Sequence, residues 1–213
     1  MTKKIILPNT IPVFPLSNFI LFPQTSVPLN IFEPRYIQMV DDAMKGERII
    51  GMVQPKRDNN LNPALYEVGC ASKISGFNET DDGRYLIIIN GISRFKIKKE
   101  IDSNKKYRKC NINFKEYSSD LIEQKEKINF SDLKLIFKNF KVLFDRMGYQ
   151  IDWKQLEKES VDKTINALSM TAPFTPEEKQ ILLETISIAE RKEKLKEILK
   201  KYLLDNFSNT TIQ

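Results

Sequence analysis

The chain has 213 residues, 41% apolar and 29% charged, with a net charge of +6, the composition of a folded globular chain of one large domain or two small ones. Histidine is absent, which excludes every Ser-His, Cys-His and His-metal mechanism at once. Apolar runs all fall short of the ~20 residues that a membrane helix needs. The opening MTKKIILPNTIPVFPL is interrupted by proline and lacks a small-residue cleavage site, so a cytoplasmic protein without a membrane partner is expected.

Five of the ten prolines (Pro12, Pro15, Pro23, Pro28, Pro34) lie between Ile11 and Tyr36. Proline fixes φ and donates no backbone hydrogen bond, so this stretch cannot be a continuous helix before Pro34. The apolar groups Val13–Leu16, Phe19–Phe22 and Val27–Phe32 read as short strands joined by tight turns. A short amphipathic helix follows, with Pro34 at its first position, Ile37, Val40 and Met44 on one face and Gly46 as a stop. IIGMVQ at 49–54 is a buried strand candidate, PKRDNNLNPAL a surface loop, and YEVGCASKISGF a strand with a glycine bulge.

The Asp82-Gly83 pair signals a hairpin. Asn90-Gly91 is read as a second turn separating RYLIIIN from ISRFKIKKE, and YRKCNINF adds a strand with Cys110, Ile112 and Phe114 on one face. After Ser118 the apolar period lengthens to 3.6. Leu133, Ile136, Phe137, Phe140, Phe144 and Met147 form one stripe, with Ser131 as its cap. Asp152 with Gln155, Thr175-Pro176-Glu177-Glu178, and Ser187 with Glu190 open further helices. The pattern is α+β, strands first and helices second, with residues 1–117 β-rich and 118–213 helical, ending in a frayed tail.

Little here is equipped for catalysis. The chain has no P-loop pattern and no dinucleotide fingerprint, no cofactor is expected, and two cysteines without histidine make no ordinary zinc site. Cys70 and Cys110 read as buried thiols. Asp41-Asp42 and Asp81-Asp82 resemble acid/base pairs, yet a polar helix face and turn chemistry account for them better. Arg94 to Lys115 holds nine basic residues against two acidic ones, and Arg94, Lys96, Lys98, Tyr107 and Arg108 make a candidate nucleic-acid patch. A solvated face is the simpler explanation. Glu33 and Arg94 are charges in apolar surroundings and need partners; Glu33 is expected to pair with Arg94 or Arg35.

The run PLSNFILFPQTSVPLNIFEPRY resembles the start of the LON domain, the N-terminal region of ATP-dependent Lon proteases, which also occurs as a stand-alone protein. YEVGCASKI, RYLIIINGISRFKI and FTPEEKQILLETISIAERKEKL resemble three later segments of that family, in the same order. The resemblance implies a β-rich pseudo-barrel of PUA-like fold followed by an α-helical bundle. It also implies a substrate-recognition module that lacks the ATPase and protease domains and does not catalyse a reaction. Expected partners are unfolded or specific client proteins, together with a protease or chaperone. Phe19, Phe22, Phe32, Arg35 and Tyr36 are the candidate peptide-binding residues, although the aromatic cluster Phe19, Phe22, Phe32 and Tyr36 reads more readily as core than as a contact surface; an RNA-binding module built on the 94–115 region is the alternative.

Overall fold

A computed structural model describes residues 7–57, 60, 62–122 and 133–208, with side chains as far as 204 in the last run. Two compact units divide the chain, Met1–Gln124 and Lys125–Gln213.

The first unit holds β1 (Thr10–Pro15), β2 (Ser26–Ile31), α1 (Pro34–Met44), β3 (Ile49–Val53), β4 (Val68–Glu79), β5 (Tyr85–Ile101), β6 (Arg108–Asn113) and a 3-10 helix (Lys115–Leu121). The strands order as β2-β5-β4-β3-β1-β6, and a further β5–β6 pairing closes the last five into a barrel. β1 runs parallel to β3, while the other pairs are antiparallel. Ile11, Val13, Val53, Phe95, Cys110 and Ile112 pack in its core. A side chain at Gly69 would lie 2.6 Å from the Phe95 ring, so the wall must be bare there to admit it.

The structure corrects several expectations. Asn90-Gly91 is no turn, because β5 runs unbroken from Tyr85 to Ile101. The glycine is required by a close approach instead: a Cβ there would lie 2.0 Å from the Phe22 carbonyl oxygen. Phe19–Phe22 is irregular rather than a strand; Ile20, Leu21 and Phe22 are buried by the chain passing over Gly91. The buried stripe of α1 is Tyr36, Met39, Val40 and Ala43, displaced from the expected one. The Asp82-Gly83 hairpin forms, with Gly83 at φ +76, and both cysteines are free and buried.

Arg94 is nearly fully buried, at 2% exposure. Its side chain donates to both carboxylate oxygens of Asp120, from Nε at 2.8 Å and Nη2 at 2.7 Å, and its backbone N–H adds a third bond at 2.9 Å. The guanidinium also lies 4.4 Å from the Tyr117 ring centre. The expected Glu33–Arg94 pair does not form, since Glu33 pairs with Arg35 at 2.8 Å. A boundary after Tyr117 would fall inside the 3-10 helix that carries Asp120, a segment tied to the strand unit by this buried pair.

In the second unit lie α2 (Lys134–Arg146), α3 (Trp153–Leu156), α4 (Val161–Thr171), α5 (Pro176–Glu184) and α6 (Ile188–Ser208). Aromatic rings join them, with Phe140 against Phe144 and Phe174, and Phe174 against Tyr202. Thr175 and Glu178 form a complete capping box, Ser187 and Glu190 exchange the same two bonds, and Asp152 caps α3. Ser131 lies outside the described residues. Buried Arg191 donates to Asn166 Oδ1 at 2.7 Å and to the Leu182 and Thr185 carbonyls, closing the C-terminal end of α5 and joining α4 to α6.

Removing Asp120 strands the Arg94 guanidinium in a dry site. Asp120→Ala is expected to cost about 3–5 kcal/mol, read as a lower urea midpoint for the strand unit with an unchanged slope. An Arg94→Met/Asp120→Leu double variant, which removes both charges, should recover most of that loss.

Candidate functional site

β2 and the N-terminal half of β5 extend beyond the barrel, paired with the outer half of β4. Strand alternation divides their side chains. Ile31, Ile87 and Ile89 are buried on one face. On the other, Pro28 pairs with Ile88 and Ile88 with Gly76, while Asn30 pairs with Leu86 and Leu86 with Asn78. Leu86 is 46% exposed, Ile88 45%, and Phe32, just past the end of β2, 63%. The rim is Asn30, Asn78, Asn90 and Lys73, so the centre of this face is apolar and carries no charge.

The free edge of the extension is β2. Gly91 donates to the Thr25 carbonyl, which sets the register so that Val27, Leu29 and Ile31 bond inwards and Ser26, Pro28 and Asn30 face outwards. Proline offers no N–H at the middle of that edge, a standard protection against strand addition. Recognition on this extension therefore falls to the face and its side chains.

The expected peptide-binding residues are dispersed. Phe22 and Tyr36 are core, with Tyr36 packed 4.2 Å from Phe14 between ring centres; Phe19 is half-buried. Phe32 and Arg35 alone are exposed. Arg35 stacks over Tyr36 at 4.5 Å and borders a cleft of about 330 Å³ shared with Asn62, Lys106, Tyr107 and Arg108. Leu86 and Ile88 escaped sequence reading. Their signal was the unbroken run Leu86-Ile87-Ile88-Ile89, apolar on both faces in a strand that only one layer covers.

The expected nucleic-acid patch is largely neutralised from within. Arg94 is buried against Asp120. Lys96 lies between Glu67 and Glu116. Arg108 is held by Glu100 and by the Pro63 carbonyl. Tyr107 is buried, its hydroxyl donating to Asp42 at 2.9 Å, so its ring is closed to stacking; only Lys98 of the group stands open. Asp41 and Asp42 are likewise structural. Tyr85 from β5 donates to Asp41 at 3.0 Å and Tyr107 to Asp42, so adjacent carboxylates clamp α1 at both ends of the sheet. Hydrogen bonds from Lys105 and Tyr107 hold the Asp42 carboxyl below its ordinary range. Burial, then the bond to Asp42, pushes the Tyr107 phenol up to about 12, and burial pushes the Cys110 thiol up to about 11, where it is inert near neutral pH.

Among the described residues, no group of three or more Cys, Asp or Glu could hold a metal ion, and no helix is long and apolar enough to cross a membrane. The first unit thus combines a closed barrel, an exposed apolar face on its extension, and carboxylates bound into the fold. Residues 10–201 match the model of the ATP-dependent protease La (LON) substrate-binding domain, and the chain belongs to that family. Lon protease of Desulfosudis oleivorans is 24% identical over 194 residues, covering 89% of this chain and 23% of the relative. Lon protease of Cytophaga hutchinsonii is 32% identical over 97 residues, 44% of this chain and 12% of that one. The chain thus spans a quarter or less of the Lon proteases it matches. Among solved structures, the Lon N-terminal domain protein from Xanthomonas campestris aligns at a TM-score of 0.61 with 19% identity, covering 87% of this chain and 96% of that one. The N-terminal domain of the Mycobacterium avium complex Lon protease gives the same score at 15% identity, over 90% and 98%. Both have the same fold.

A raised phenol pKa means that the neutral form is favoured by folding. The stability contributed by Tyr107 is fully present below the ordinary value of 10.0 and is lost as pH rises through about 12. Absorbance titration of phenolate should show a tyrosine ionising near 12 that disappears in Tyr107→Phe. That variant should also lose stability less steeply than the parent above pH 10.0.

Proposed function

We propose that this chain binds extended apolar segments of protein clients, unfolded or specific, and does so as a non-catalytic adaptor. In this reading it works in the cytoplasm and delivers what it holds to a protease or chaperone. The observation that carries the reading is the exposed apolar pair Leu86 and Ile88 on the outer face of the extension, with exposed Phe32 just past the end of β2. Exposed apolar side chains gathered on one face of a sheet, with polar residues at the rim, mark a protein-recognition surface. Family membership supports it, since the matched family is a substrate-binding domain. The protected β2 edge favours capture by side-chain contact over strand addition.

Fluorescence anisotropy with a labelled unfolded polypeptide tests this at low and moderate salt. Saturable binding that persists as salt rises is expected. Leu86→Ser/Ile88→Ser should weaken it roughly tenfold, about 1.4 kcal/mol, with little effect on stability because both side chains are already half in water. Binding to the double variant unchanged from the parent would remove this face from the site. An affinity that collapses with salt would point instead to phosphate-type contacts.

A further inference from the structure

An open cleft of about 540 Å³ lies on the first unit away from the Leu86–Ile88 face, bordered by Asn9, Lys98, Asn111, Asn113, Phe114 and Lys115, with Ser118 and Leu121 beyond. Among the described residues no acidic side chain lines it, whereas Arg94, Lys96, Lys105 and Arg108 of the same basic region each meet a carboxylate. Among the described residues, the Lys98 and Lys115 ammonium groups have no carboxylate within ion-pair distance.

Local geometry gathers these groups. Asn111 and Asn113 alternate on one face of β6, and Asn9 joins them through its carbonyl, which accepts from the Ile112 N–H at 2.8 Å. The β5–β6 register slips between Ile97 and Lys99, inserting Lys98 as an extra residue; such bulges re-aim a side chain. Asn113 accepts from the Lys115 backbone N–H at 3.1 Å, fixing the turn that presents Lys115. The result is two unpartnered cations, three amides able to donate and accept, and an apolar floor from half-buried Phe114 and exposed Leu121.

We propose that this cleft is an anion subsite for acidic side chains of an extended polypeptide, with the asparagine amides engaging the peptide backbone. The assignment rests on the client-binding reading above and extends it to the charge of the client. A polypeptide suits the cleft better than a single-stranded nucleic acid, which needs exposed aromatic platforms as well as cations. Tyr107 and Tyr117 are buried nearby, and Phe114 shows only part of its ring. β5 carries both surfaces, Ile88 near one end and Lys98 near the other. At ~3.3 Å per residue the strand between them is about 30 Å long at most, so their straight-line separation is well within the reach of an extended segment of about fifteen residues.

Three labelled probes decide the matter by anisotropy: a peptide of about fifteen residues containing Leu and Glu, its twin with Gln for Glu, and an oligouridylate of matched charge. The Glu peptide is expected to bind the parent roughly tenfold more tightly than its twin, as two exposed charge pairs allow. Lys98→Gln/Lys115→Gln should abolish that advantage and leave the Gln twin unaffected. Leu86→Ser/Ile88→Ser should weaken both peptides together. An advantage that survives in the lysine variant, or none in the parent while the Gln twin still binds, overturns the subsite and leaves the apolar face standing. Failure of both peptides to bind overturns the two readings together. An oligouridylate that binds more tightly than the Glu peptide, and loses that binding in the lysine variant, assigns the cleft to nucleic acid and overturns the polypeptide assignment.

Discussion

β5 serves both the barrel and its extension within one six-stranded sheet, and the first unit depends on that. Its N-terminal half pairs with β2 and the outer half of β4, its C-terminal half with β6 and the inner half of β4. One strand of seventeen residues therefore closes the barrel and projects the extension. A flat strand could do neither. The register shifts between Ala71 and Ser72, Ile74 and Gly76, and Ile97 and Lys99 supply the bends. Gly91 lies on the path, where the Phe22 backbone crosses too closely for any side chain. The extension continues the barrel strand without a break, and among the described residues of the first unit no second layer covers its outer face. Exposure of Leu86 and Ile88 thus follows from the same topology that buries Phe95.

Much of this architecture was legible in the residues. Period-two segments, the Asp82-Gly83 turn and the Thr175–Glu178 capping box announced an α+β chain with strands first, because each depends on a few neighbouring residues. What sequence could not convey was long-range. Asn90-Gly91 has the chemistry of a turn, and only the crossing of a segment nearly seventy residues away shows that the glycine serves a close approach. Arg94 needed a partner on any reading, but Asp120 lies just past the boundary expected after Tyr117, on the side assigned to the helices. The aromatic cluster could be read as core or as a contact surface, and only the fold sorts it, burying Phe22 and Tyr36 and leaving Phe32 exposed.

Charge in the first unit is mostly spent on structure. The local excess in the basic stretch suggested a phosphate-binding surface, yet Arg94, Lys96, Lys105 and Arg108 each meet a carboxylate from the same unit. A buried pair such as Arg94–Asp120 adds little net stability against an apolar replacement, but it penalises any arrangement that separates its members. It therefore fixes the 3-10 helix against β5 more by forbidding alternatives than by attraction. Tyr85 and Tyr107 act similarly on α1, since each phenol bonded to a carboxylate would be costly to bury alone.

What distinguishes Lys98 and Lys115 is the cleft they share with three asparagines. Where a cation meets a carboxylate, it gives a surface little electrostatic preference among ligands. Where two lysines stand among amides with no acid beside them, the local potential is positive and short-ranged, screened within ~8 Å at physiological ionic strength. Such a feature cannot capture a client from a distance, but it can favour acidic over neutral side chains once apolar contacts have brought a chain alongside. Affinity from the Phe32–Leu86–Ile88 face and selectivity from the Lys98–Lys115 cleft are then separable properties of one strand, because their physical origins respond differently to salt.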